Sequence, residues 1–115
     1  MSITYQVLGG PSKDNALLVR VDSGQKIEYL LFDCGEGCLE KVPIRTVQEI
    51  DHLFFSHLHM DHIAGFDSFF RSNYSRKTKP NHIWGPPQTA EIIQHRFQGF
   101  MWNLHGSIPC SWIVS

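Results

Sequence analysis

The sequence predicts one α/β (α+β) domain in which a β-sheet is flanked by helices. Three observations carry this. Short apolar runs near the N-terminus are separated by Gly, Pro, Asp and Ser. Strand-like runs then alternate with helix-like ones. A three- and four-residue apolar period follows residue 62.

Ile3 to Leu8 reads as a first strand stopped by Gly9-Gly10-Pro11, and Ala16 to Val21 as a second. Asp22-Ser23-Gly24-Gln25 leads to a third strand, Ile27 to Phe32, which completes a meander. Its run Tyr29-Leu30-Leu31-Phe32 is nearly continuous in apolar residues, which predicts cover on both faces. From Cys38 to Ile50 short helical pieces are expected, interrupted at Pro43, and Asp51 to Phe55 forms the fourth strand. Ile63, Phe66, Phe69, Phe70 and Tyr74 then recur with the period of a helix from His62 to about Tyr74 that buries one face. Asn81 to Trp84 reads as a fifth strand. A helix from about Gln88 to Leu104 follows, with Pro87 suited to its first turn, and Ile108 to Val114 is a sixth strand.

Composition narrows the class. Of 115 residues, 42% are hydrophobic and 18% charged, as in globular chains, and one domain is the ceiling for this length. A formal net charge of −1 excludes a global attraction to nucleic acid or to an anionic membrane, so any phosphate affinity has to be local. The basic cluster Arg71, Arg76, Lys77 and Lys79 reads as a solvated loop. Met1-Ser2-Ile3-Thr4-Tyr5 is neither a signal peptide nor a membrane span, so the expectation is a cytoplasmic protein without a membrane partner. Three cysteines, Cys34, Cys38 and Cys110, make an odd set without zinc-finger spacing and are read as reduced thiols, Cys34 being buried beside a strand end.

The chemistry concentrates in Ser56-His57-Leu58-His59-Met60-Asp61-His62, just past the carboxyl end of the fourth strand. Imidazoles and carboxylates are the ligands that borderline metals such as zinc prefer. A tight turn here aims His57 and His59 at one point and Asp61 and His62 at another, with Met60 as a spacer. Two ions about 3.5–4 Å apart lower the pKa of a shared water and polarise a phosphoryl or carbonyl oxygen. A single histidine reads as a surface residue, and His52, His82, His95 and His105 are read as structural or surface residues. Three His and one Asp in six positions, between an apolar strand and an amphipathic helix, point to a metal site.

The pattern His-x-His-x-Asp-His resembles the defining motif of the metallo-β-lactamase superfamily. Phe32-Asp33-Cys34-Gly35-Glu36-Gly37, Phe55 through Phe66, and Ile83-Trp84-Gly85-Pro86 are similar to ribonuclease Z, the tRNA 3′-processing endonuclease, and its near relatives. The resemblance implies a partial αββα sandwich, mainly the N-terminal mixed sheet with its helices, spanning residues 1–115 as the first portion of one domain. It implies that His57 and His59 hold the first metal and that Asp61 and His62 hold the second. Asp61 is also implied as the catalytic group that orients or deprotonates the attacking water, and Asp33 as support beneath the cluster by hydrogen bonds. The implied cofactor is two zinc ions, with manganese and iron as alternatives, and the implied substrate is a tRNA precursor or another phosphodiester.

Two departures qualify the resemblance. The family's loop after its first strand usually reads Pro-x-Lys-x-Arg-Asn; here Pro11-Ser12-Lys13-Asp14-Asn15 keeps the Pro, the Lys and the Asn but lacks the Arg and one residue of length. Lys13 is the substrate-binding candidate in it. The family also completes its site with a further His on each ion and a bridging Asp, for which this chain has no counterpart. A half of a two-layer fold exposes the face meant for the other layer, so association with a missing C-terminal half, or homodimerisation, is expected. The leading reading is a fragment of a ribonuclease-Z-like phosphodiesterase. The alternatives are a hydrolase of another ester (arylsulfatase, lactonase or small-phosphodiester type) and a truncated, non-catalytic interaction module.

Overall fold

A computed structural model of the chain describes residues 1–9, 14–74, 79–98 and, for the backbone alone, 112–114. Ten elements follow in order: β1 (Ser2–Val7), β2 (Leu17–Asp22), β3 (Ile27–Phe32), α1 (Ile44–Val47), β4 (Ile50–Phe54), α2 (Met60–Ile63), α3 (Phe66–Asn73), β5 (Asn81–Trp84), α4 (Thr89–Phe97) and β6 (Trp112–Val114). The strands form one sheet in the order β1-β2-β3-β4-β5-β6. The first three are antiparallel, as short turns allow, and β3 through β6 run parallel. Helices lie between the parallel strands because a parallel crossover has to travel back along the sheet.

Register aligns Leu31, Leu53 and Ile83 across β3, β4 and β5, and all three are fully buried. Alternation puts the next residue of each strand, Phe32, Phe54 and Trp84, on the opposite face, where their rings stack at 4.9 and 6.2 Å. Among the described residues the helices cover the first face. α3 presents Phe66, Phe69, Phe70 and Asn73 inward, a helical stripe at intervals of three, one and three residues. Phe97 of α4 closes on Phe70 at 4.9 Å between rings.

Several expectations are corrected here. Phe32 is 37% exposed and Trp84 39%, so β3 is not covered on both faces; its apolar run serves one helix-covered side and one open side. The single helix expected over 62–74 is two, α2 and α3, separated at Ala64-Gly65. Gly65 donates to the Cys34 carbonyl at 2.9 Å and packs so closely that a Cβ there would land on the Gly35 carbonyl oxygen, which breaks the helical path. Tyr74 is exposed, and Asn73 takes the last buried place of the stripe. The Asn73 amide donates to the carbonyls of Phe69 (3.0 Å) and Val47 (3.3 Å), and its oxygen accepts from Asn81. The segment before Pro43 forms turns and not helix. β2 and β4 lie one residue later and one earlier than expected, respectively. α4 starts at Thr89, after Gln88 at φ +82°, and the part of its expected span beyond Gln98 lies outside the described residues.

Candidate metal centre

The turn after β4 is held from two sides. Phe55 donates its backbone N–H to Trp84 (2.8 Å) and buries its ring, so the chain leaves the sheet in a fixed direction at Ser56. Ile63 is buried four residues beyond His59 and pins the short α2, whose first turn carries Asp61 and His62. Met60 is 79% exposed, in line with a spacer.

His57, Asp61 and His62 converge: one ligand atom from each lies within 4.8 Å of the others. The rings of His57 and His62 are 3.7 Å apart between centroids. His59 stands edge-on to His57 at 4.7 Å and outside the converging group. Asp33, immediately after β3, sits beneath them. Its Oδ2 accepts from His62 Nδ1 (2.9 Å) and from the Ser56 hydroxyl (2.8 Å), and its Oδ1 accepts from the Ser56 backbone N–H (2.8 Å). That bond makes Nδ1 the donor of His62 and leaves Nε2 with its lone pair turned toward Asp61, 3.6 Å away. Asp33 adopts φ +62°, a conformation that non-glycine residues rarely take, and it positions both carboxylate oxygens under the turn.

Two participants carried no role in the sequence. Ser56 joins Asp33 to His57, its oxygen lying 3.2 Å from His57 Nδ1. Asn15 donates its side-chain amide to Asp61 Oδ2 (3.1 Å), with His62 Nε2 at 3.3 Å; its backbone donates to the Asp61 carbonyl and accepts from Gly35 N. The signal available was its place in the loop after β1. A carboxylate oxygen and an imidazole nitrogen thus converge on one electropositive amide, the position a cation would take. Two nitrogen donors and one oxygen donor suit a borderline divalent metal, so the residues present fit such an ion. Lys13 and His105 lie outside the described residues. His95 is exposed, and His52 and His82 stack on the open sheet face at 4.9 Å, away from the converging group.

The sequence model of the family described as "Beta-lactamase superfamily domain" matches residues 28–113. Ribonuclease Z of Deinococcus radiodurans is 54% identical over 112 residues, covering 97% of this chain and 34% of that protein. Ribonuclease Z of Myxococcus xanthus is 37% identical over 99 residues, covering 81% of this chain and 32% of the relative. The chain therefore spans about a third of the length of these curated relatives. Among solved structures, human tRNase Z, short form, superposes with a TM-score of 0.65 at 26% identity, covering 99% of this chain and 43% of that one. A diphosphatase of the PhnP family superposes at 0.70 and 16% identity, covering 99% and 51%, which speaks for the fold alone. The mixed sheet with its helices, the His-Asp turn at the end of β4 and the matching family model together show that the chain belongs to the beta-lactamase superfamily.

Proposed function

We propose that residues 1–115 form one part of a single metallo-β-lactamase domain whose protein is a metal-dependent phosphodiesterase of the ribonuclease Z type, acting on tRNA precursors. The observation that carries this is the Asp33–His62 bond of 2.9 Å beneath a turn where His57, Asp61 and His62 converge. A carboxylate that orients an imidazole in this way is what a metal ligand requires and what a surface histidine does not. Relatives named ribonuclease Z, at up to 54% identity, support the substrate class.

In this reading His57, His59, Asp61 and His62 hold the ions. When bound, a pair of zinc ions supplies an activated water and a positive field for the charge that develops on the phosphate. The chain's own residues do the rest. Asp61 orients the attacking water and takes its proton. Asp33 and Ser56 fix the imidazoles of His62 and His57. Asn15 steadies the Asp61 carboxylate from the other side. Lys13 is proposed to meet a substrate phosphate. Buried Cys34 and Cys38, both free thiols, fit a reducing, cytoplasmic compartment, and no helix among the described residues is long and apolar enough to cross a membrane. The open face of Phe32, Phe54 and Trp84 is read as the seat of the domain's second β-layer, with homodimerisation as the competing arrangement.

Asp61→Ala in the protein carrying the complete domain tests the assignment. Turnover of a tRNA precursor is expected to fall by at least about a thousandfold, and retained turnover refutes the role. Substrate binding across a salt series tests the substrate class. A nuclease loses affinity steeply because many phosphates are contacted, whereas a flat response points to a small ester.

A further inference from the structure

Two thiols outside the proposed metal ligands lie together under the site. Cys34 follows Asp33 directly, Cys38 comes four residues later, and their sulfurs share a hydrogen bond at 3.7 Å. Cys34 is fully buried. Cys38 is 7% exposed and lies on the wall of an open cavity of ≈ 320 Å³ that Gly37, Leu39, Ser68 and Ser72 also line. A small reagent entering that cavity meets Cys38 first. Contact with the Cys34 sulfur lowers the Cys38 thiol from its ordinary value, against the opposing effect of burial, and Cys38 is the sulfur nearer the cavity. The intervening turn contains Gly37 at φ +71° and is closed by the Cys38 N–H to the Gly35 carbonyl (3.2 Å). Glycine tolerates the backbone adjustment needed to bring the sulfurs to the roughly 2.0 Å of a disulfide.

The same turn is meshed into the histidine turn. Cys34 N–H donates to the His62 carbonyl (2.8 Å), Gly65 N–H to the Cys34 carbonyl (2.9 Å), Gly35 N–H to Asn15 (3.0 Å), and Asn15 N–H to the Asp61 carbonyl (3.0 Å). A Cβ on Gly35 would collide with the Asp14 side chain and the Asp61 carbonyl oxygen, so this packing has no slack. Contraction between residues 34 and 38 therefore strains the bonds that hold Asp61 and His62.

We propose that Cys34 and Cys38 are a redox-active dithiol that closes to a disulfide by exchange with a low-molecular-weight disulfide, loosening the turn that carries Asp61 and His62. The Cys38 thiolate attacks one sulfur of oxidised glutathione and expels one glutathione thiolate. Cys34, buried beside it, then attacks the Cys38 sulfur of the mixed disulfide, passing its proton to the glutathione thiolate already released, and expels the second glutathione. Two protein thiols are oxidised, one glutathione disulfide is reduced to two thiols, and one intrachain S–S bond forms.

The test uses the full chain with Cys110→Ser, so that only this pair is counted. Oxidised glutathione is expected to remove both thiols with a mass loss of two hydrogens, with peptide mapping placing the bond between residues 34 and 38. Amide exchange at Asn15, Cys34 and Gly65 is expected to quicken by at least about tenfold in the metal-free oxidised protein and to recover with dithiothreitol. Cys38→Ser, and as a second variant Cys38→Ala, should show neither change. A persistent glutathione adduct, two thiols that stay alkylatable, or a disulfide that leaves exchange at these amides unaltered overturns the proposal. Zinc titration of the reduced and oxidised forms adds a readout that rests on the proposed metal site. Absence of zinc binding by the reduced chain counts against that site, while mass and exchange still decide the dithiol.

Discussion

The two faces of the central sheet are built from consecutive residues of the same strands, yet they meet different surroundings. Leu31, Leu53 and Ile83 have no exposed surface and pack under α3 and α4, whereas Phe32 and Trp84, one position on, are more than a third exposed. Both rows are apolar, so hydrophobicity alone does not separate them. What separates them is the helical cover. α3 and α4 bring Phe66, Phe69, Phe70 and Ile93 to one side, and nothing among the described residues covers the stacked row of Phe32, Phe54 and Trp84 on the other. The open apolar face next to the proposed metal turn is the one the proposed second β-layer would cover, and the face already buried is where the chain's own stability resides.

The largest expected effect breaks the covered side. Leu53→Ala opens a cavity under α3 and should cost about 2–5 kcal/mol, seen as a lower midpoint in urea unfolding. An effect no larger than that of Phe54→Ala would erase the contrast between the faces. Asp33→Ala acts at the strand end, where the sheet meets the turn. It frees the Nδ1 of His62 and should lower metal affinity by about 10–100-fold, read by competition with a chelating dye, and unchanged affinity would remove Asp33 from the site. Phe54→Ala on the open side should cost only about 1 kcal/mol, because its ring is half-buried and loses stacking more than core packing.

The smallest effect sharpens the comparison through pH. Trp84 Nε1 donates to His52 Nδ1 at 3.0 Å, so His52 is an acceptor only while neutral. Burial first and then the neighbouring His82 hold its pKa below the ordinary 6.5, against weaker opposition from Asp51 and Glu28; Lys26 adds a little to the lowering. A histidine depressed in the folded state binds its proton more tightly when unfolded. Its stabilisation is therefore present above about pH 6.5 and fades as pH falls toward the folded value. Urea midpoints between pH 7.5 and 5.5 should slope accordingly, and His52→Gln should flatten part of that slope. An imidazole resonance of His52 titrating at or above 6.5 would contradict the sign.

Much of the fold was legible because it rests on local periods. The short apolar runs bounded by turn residues located β1 to β5, Asn81–Trp84 and Ile27–Phe32 to the residue, and the three- and four-residue period located α3. The same logic failed at Ala64-Gly65 and at Tyr74, where partners distant in sequence, Gly35 with Cys34 and Asn81 with Val47, decided the local path.

By itself the sequence determined the presence and place of the His-Asp cluster, since four candidate ligands within six residues are close however the rest of the chain folds. It also determined the continuous apolar runs that make both sheet faces apolar. Only the tertiary structure decided which of those faces the helices cover. Likewise, only it brought Asn15 across 46 positions to Asp61 and carried Asp33 across 29 to His62. The physical reason is that side-chain period and motif spacing are encoded within a few residues. Hydrogen bonds between distant loops exist only once sheet order and register have fixed the strand ends from which those loops depart.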